Sequence, residues 1–250
     1  MPTRHEDTLK EHRYYTGEHK NADEINLIIS TKLTHVSQFP FYAQALAEAV
    51  HEGQVDKSGE PYIDHVRRVV AYTQEMLDEQ YPLEGKRPGE ITTYGIDYDD
   101  RQKLHAELIS VAWMHDVLED TPGLTYYHLA NMVYHTTAYE VDWRDQEDLK
   151  RVVSMVEAIT HARKEDGEHY ETYDRYIRRV GNFGPAMTGP QGKTYSSWGH
   201  DNTAHVRPLS MVKLADLHDN RGRGGIPKSL EERYDRAIDT LRSESPARNT

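Results

Sequence analysis

The chain has 250 residues, 36% of them hydrophobic and 29% charged. That balance fits one large globular domain with its own core and excludes wholesale disorder. A formal charge of −12 argues against non-specific nucleic-acid binding, which draws its affinity from Lys and Arg, and the absence of cysteine excludes disulfides and thiolate zinc sites.

Residues 1–22 are polar, with His5, His12 and His19 scattered among acids and lysines, and read as a loose arm ahead of a single domain over 23–245. Met1-Pro2-Thr3-Arg4-His5-Glu6-Asp7 lacks a signal peptide's apolar core, and no run reaches the apolar length of a membrane span. A soluble cytoplasmic protein, with neither nucleic acid nor membrane as partner, is the expectation. Asn21-Ala22-Asp23-Glu24 is a helix-start pattern, and Phe41 to Val50 reads as a second, Ala-rich helix. Lys57-Ser58-Gly59-Glu60-Pro61-Tyr62 is turn chemistry leading into a helix, with Pro near the first position, where a missing N–H costs nothing. Ile63, Val66, Val69, Val70, Met76 and Leu77 recur there at helical spacing, with His65 beside the stripe.

Residues 82–100 read as a long loop, and helices are expected near 101–118, 125–135, 145–162 and 168–180. A second loop, 181–205, is rich in Gly, Pro and Ser. Its Gly192-Lys193-Thr194 is no phosphate-binding loop, because the first glycine of that motif is missing and no strand precedes it. Val206 to Asp219 and residues 229–243 complete the helices. No alternating strand pattern occurs anywhere, so the fold class is all-α.

The chemistry concentrates in His115-Asp116-Val117-Leu118-Glu119-Asp120-Thr121. In one continuous helix His115 stacks over Glu119 and Asp116 over Asp120. Leu108, Val111, Ala112, Met114, Val117 and Leu118 form an apolar surface that draws His115 and Asp116 out of water. A buried carboxylate costs several kcal/mol, roughly, unless a cation or good hydrogen bonds satisfy it. A divalent metal is one solution, and a metal-free His–Asp core pair is the other. Without cysteine, any metal is held by His and carboxylate, which suits Mn²⁺ or Mg²⁺ and also accepts Fe²⁺ and Zn²⁺. His65 on one helix, His115 and Asp116 on a second and Asp216 on a third supply four N/O groups whose helices can converge.

Three blocks carry a resemblance: Lys57-Ser58-Gly59-Glu60-Pro61-Tyr62-Ile63-Asp64-His65, His115-Asp116-Val117-Leu118-Glu119-Asp120-Thr121, and Val212-Lys213-Leu214-Ala215-Asp216. Together they resemble the H…HD…D pattern of the HD-domain phosphohydrolase superfamily, and more narrowly the hydrolase domain of RelA/SpoT enzymes and the small alarmone hydrolases, over about residues 40–221. The resemblance implies an HD-domain bundle of about eight to ten helices with two long insertions. It implies a Mn²⁺-dependent enzyme that removes the 3′-pyrophosphate of (p)ppGpp, a nucleotide alarmone. His65, His115, Asp116 and Asp216 fall on the metal ligands, and Glu119 and Asp120 on the acidic pair that orients or deprotonates the attacking water. Lys57 falls on a phosphate-binding position. Asn220 falls on a nucleoside contact, though with Gly222 just beyond it also suits a helix C-cap. Arg221 beside it joins the expected substrate contacts. The chain is expected to act alone or as a homo-oligomer, since its length leaves no room for a synthetase domain.

Two departures bear on substrate. Asp56 stands where these hydrolases commonly carry an Arg that stacks on guanine, and an acid cannot stack as a guanidinium does. Leu217-His218-Asp219-Asn220-Arg221 replaces the family's usual turn after the last ligand. Both leave an HD hydrolase of another nucleotide or phosphorylated metabolite, or a non-catalytic nucleotide-binding module, as alternatives.

Overall fold

The computed structural model describes residues 39–56, 58–83, 98–121, 124–130, 143–161, 169–181, 209–224 and 226–244. The N-terminal arm, the first expected helix, Lys57 and most of both expected insertions lie outside the described residues. Among the described residues eight helices follow in order: α1 Phe39–Val50, α2 Tyr62–Gln80, α3 Tyr98–Met114, α4 Val117–Asp120, α5 Trp143–Ile159, α6 Tyr173–Gly181, α7 Leu209–Gly222 and α8 Lys228–Glu244. Residues 126–130 are also helical, and no strand occurs among the described residues. The all-α expectation holds. No described helix is long and apolar enough to cross a membrane.

Helix α3 is the axis of the bundle and packs against α1, α2, α5 and α7. Its buried apolar set, Leu104, Leu108, Val111, Ala112, Trp113 and Met114, is too broad for a single stripe, as expected of a helix covered on several sides. Several polar groups it carries inward find partners nearby. Arg101 donates to the Pro82 carbonyl at 2.6 Å, a His105 ring nitrogen lies 2.9 Å from the Tyr81 carbonyl, and Ser110 donates to Ala106 O at 2.6 Å. Glu107 pairs with Arg151 of α5 at 3.4 Å. Buried polar groups need such partners, and these also tie α3 to the end of α2 and to α5.

The turn before α2 is built around Asp56. Its Oδ1 accepts from the Ser58 amide at 2.8 Å, the Ser58 hydroxyl at 2.6 Å and the Glu60 amide at 3.1 Å. Burial opposes its charge, but these hydrogen bonds win and hold the carboxyl below its ordinary range. Gly59, at φ +88°, takes the left-handed conformation that closes the turn. The Tyr62 amide then donates to Gln54 O at 2.9 Å, and Pro61 sits at the α2 N-cap without needing a donor.

Two expectations need correction. Helix α3 begins at Tyr98, inside the stretch read as loop. More consequentially, the helix expected over 101–118 stops at Met114: His115 and Asp116 form a turn, and α4 restarts as a single four-residue piece. The physical cause is local. The His115 ring nitrogen Nδ1 bonds the Ala112 carbonyl at 2.8 Å, so the side chain takes over an acceptor that helix continuation would otherwise use. His115 therefore caps α3 from its own C-terminal side.

Leu108 is buried in the heart of this packing at 1% exposure. Leu108→Ala is expected to lower unfolding free energy by about 2–5 kcal/mol, read as a shift of the urea midpoint at unchanged slope.

Candidate metal centre

Three parts of the chain deliver the central groups. His65 comes from the first turn of α2, His115 and Asp116 from the α3–α4 turn, and Asp216 from α7. His65, His115 and Asp116 each offer a ligand atom within 4.8 Å of the others, forming a group that can hold a metal ion. Asp216 Oδ1 joins them, 3.4 Å from His65 Nε2 and 3.8 Å from His115 Nε2. Asp116 Oδ2 lies 3.7 Å from His65 Nε2 and 3.1 Å from His115 Nε2. The four residues read from the sequence as ligands thus meet around one point.

The proton positions follow from the other ring nitrogens. His115 Nδ1 faces a carbonyl oxygen, and His65 Nδ1 faces Asp219 Oδ2 at 2.7 Å. Both partners only accept, so both Nδ1 atoms carry hydrogen, and in the neutral rings both Nε2 atoms present lone pairs. Those two Nε2 atoms are buried and have no hydrogen-bond partner. Lone pairs of two imidazoles therefore face the oxygens of two carboxylates across 3.1–3.8 Å, an arrangement that calls for a cation between them.

The electrostatics agree. Burial opposes charge on His65, but Asp116, Asp216 and Asp219 outweigh it and push the imidazole up to about 10. Burial likewise opposes, and Asp116 and Asp216 overcome, the positive charge on His115. Asp116 is held well below the usual carboxylate range: burial works against ionisation, and His115 and His65 prevail. Asp216 is lowered too, against its burial, chiefly by Lys213 and His65. Protons and a divalent ion compete for the same centre.

A supporting layer fixes each ligand. Tyr62 donates its hydroxyl to Asp116 Oδ2 at 2.5 Å, while Lys213 donates to Asp216 Oδ2 at 2.6 Å and Asn220 to Asp216 Oδ1 at 2.5 Å. Lys213 is clasped from the other side by the Tyr176 ring, 5.2 Å from its ammonium. Asp219 is held in turn by Arg68, at 2.5 and 3.2 Å, and by Arg223 at 3.1 Å. Sequence reading assigned no role to Asp219, Tyr62 or Lys213. The available signal was helical spacing, since Asp219 lies three residues beyond Asp216 and Tyr62 three before His65, each on its ligand's face.

The remaining expected residues separate. The helix breaks after Met114, so the stacking of Glu119 over His115 no longer follows from one continuous helix, although Glu119 still acts on the charge of Lys213, the partner of Asp216. Glu119 lies exposed on α4 and accepts the His161 backbone N–H at 2.5 Å, linking α4 to the end of α5. Asp120 turns inward, buried, and accepts from Gln54 at 3.0 Å with His51 Nδ1 at 3.6 Å. Asn220 is engaged with Asp216, inside α7 rather than at its cap. Arg221 pairs with Asp235 of α8 at 2.5 Å, half-exposed on the α7–α8 seam. Lys57 lies outside the described residues.

Asp219→Ala is expected to weaken metal binding about 10–100-fold by freeing the His65 ring, measured by titration with Mn²⁺. Because His65 binds a proton tightly in the absence of metal, Mn²⁺ binding near pH 7.5 is expected to release about one proton per ion, with affinity rising with pH; calorimetry in buffers of different ionisation enthalpy measures it. No protein-family model matches the chain, nor does any curated protein.

Proposed function

We propose that the protein is a metal-dependent phosphohydrolase of HD type, cleaving a guanosine alarmone at its 3′-pyrophosphate to release pyrophosphate, with Mn²⁺ as the ion. The observation that carries this reading is the pair of buried Nε2 atoms, each ring fixed by an Nδ1 hydrogen bond, aimed at the oxygens of Asp116 and Asp216. A mixed imidazole and carboxylate set without sulfur suits Mn²⁺, Mg²⁺, Fe²⁺ or Zn²⁺, and the resemblance of the three motif blocks selects Mn²⁺ among them.

When bound, such an ion supplies Lewis-acid polarisation of a phosphoryl oxygen and lowers the pKa of water. The chain's own residues supply the rest. His65, His115, Asp116 and Asp216 hold the ion, and their hydrogen-bonded neighbours keep the ligand atoms from rotating away. Glu119, whose carboxylate reaches the His161 amide at the protein surface, accepts the proton of the attacking water. Asp120, held from behind by Gln54, orients that water. Asn220, which donates to Asp216, contacts the nucleoside, Arg221 beside it joins the substrate contacts, and Lys57 offsets phosphate charge. The net reaction adds water across the 3′ C–O–P linkage, giving GDP or GTP and pyrophosphate.

One observation favours a second reading, in which the same centre hydrolyses a different nucleotide. Asp56, standing where an Arg would stack on guanine, is 8% exposed and committed to its own turn. It neither stacks on a base nor presents a cation to one.

Incubation with Mn²⁺ and a panel of ppGpp, NTPs, dNTPs and 3′-phosphonucleotides separates the readings. Pyrophosphate release from ppGpp alone supports the first, and cleavage confined to other nucleotides the second. Nucleotide binding without turnover under Mn²⁺, Mg²⁺ or Fe²⁺ would sink both. Asp216→Ala is expected to lose metal and turnover together, whereas Glu119→Ala keeps metal and loses turnover by about 10²–10⁴-fold.

A further inference from the structure

The residues between α1 and α2 form a second polar network, separate from the ligands and entirely buried. His51, Gln54 and Asp120 are 1%, 2% and 3% exposed. His51 Nδ1 lies 2.6 Å from Gln54 Oε1, and Gln54 Nε2 donates to Asp120 Oδ2 at 3.0 Å. The orientation of the amide is dictated. A carboxylate only accepts, so the Gln54 NH₂ must face Asp120, its oxygen must face His51, and His51 must carry its proton on Nδ1. Flipping the amide would set oxygen against oxygen.

The same turn reaches the other acid of the motif. Tyr62 closes the turn through its amide on Gln54 O, at 2.9 Å, and sends its hydroxyl to Asp116 at 2.5 Å. The His51 and Tyr62 rings pack at 5.0 Å. Two ends of one turn, Gln54 and Tyr62, therefore grip two carboxylates four residues apart, Asp116 and Asp120. Helix α4 is a single turn, too short to immobilise the side chain of its last residue by itself.

We infer that Gln54 and His51 are positioning residues for Asp120: Gln54 fixes the rotation of the carboxylate, and His51 fixes the rotation of Gln54. This rests on the reading above, in which Asp120 orients the attacking water. The clamp acts on turnover rather than on metal affinity, because neither side chain hydrogen-bonds His65, His115, Asp116 or Asp216, and His51 reaches Asp116 only through its ring packing on Tyr62.

The test uses Gln54→Met, which keeps side-chain length without the hydrogen bonds, with His51→Leu, His51→Asn and Asp120→Asn beside it. With ppGpp and Mn²⁺, Gln54→Met and His51→Leu are expected to lower kcat about tenfold while KM and Mn²⁺ affinity stay within about twofold. His51→Asn, whose side-chain N–H falls near the position of Nδ1–H, is expected to restore most of the loss. Gln54→Met added to Asp120→Asn is expected to have no further effect on kcat. A crystal structure of Gln54→Met is expected to show the Asp120 carboxylate rotated. Unchanged kcat, a parallel loss of Mn²⁺ affinity, or full additivity with Asp120→Asn would overturn the inference. If the wild type turns over no nucleotide, the functional reading fails, and the crystal structure alone decides the clamp: an Asp120 rotamer identical to wild type overturns it.

Discussion

The structure turns on an electrostatic conflict placed in the interior by design of the packing. Asp116 and Asp216 point oxygens at the Nε2 atoms of His65 and His115, and hydrogen bonds to Asp219 and Ala112 O prevent both rings from turning away. Neutral imidazoles in that geometry would repel the ionised carboxylates through their lone pairs, so the centre favours positive charge: a proton on His65, pushed up to about 10, or a divalent ion in its place. Several neighbouring polar groups hold that geometry. Lys213 takes Asp216 Oδ2 and leaves Oδ1 toward the imidazoles, while Tyr62 and Asn220 donate to Asp116 Oδ2 and Asp216 Oδ1, the same oxygens that face the Nε2 atoms.

The break between α3 and α4 sends the residues of one motif to different places. In an unbroken helix, His115, Asp116, Glu119 and Asp120 share adjacent faces of two turns. With the ladder interrupted at His115, the ligand pair sits in the turn, Asp120 is carried back into the core toward α1, and Glu119 is left at the surface against His161. The His115 ring is both cause and beneficiary: its Nδ1 bond to Ala112 O ends α3 and orients Nε2 in one stroke. His161 itself is half-enclosed by stacking on His169 at 3.6 Å and on Tyr176 at 4.6 Å. Burial foremost, with His169, Lys213 and Arg179 adding to it, lowers its pKa to about 4, so it remains neutral beside the centre.

Asp56 illustrates how a departure from a family pattern acquires a physical meaning. As an isolated letter it subtracts a cation from an expected base-stacking position. In the fold it has a different task, accepting three hydrogen bonds that close the turn from which Gln54 and Tyr62 reach the two acids. A longer, charged guanidinium at that position could not make these short acceptor contacts.

The helices were legible from periodicity alone, because burying one face of a helix imposes a repeat that survives in the letters; α1, α2, α5, α7 and α8 fall within a few residues of their expected spans. So were His65, His115, Asp116 and Asp216, whose residue types are rare on apolar stripes and demand compensation wherever they occur. The end of α3 was not legible, since it depends on a side chain competing for a backbone carbonyl, which propensity does not register. Nor were Asp219 behind His65 and Gln54 behind Asp120. Hydrogen bonds joining residues 154 and 66 positions apart are created only when α2 meets α7 and the end of α1 meets α4, so they belong to the tertiary structure.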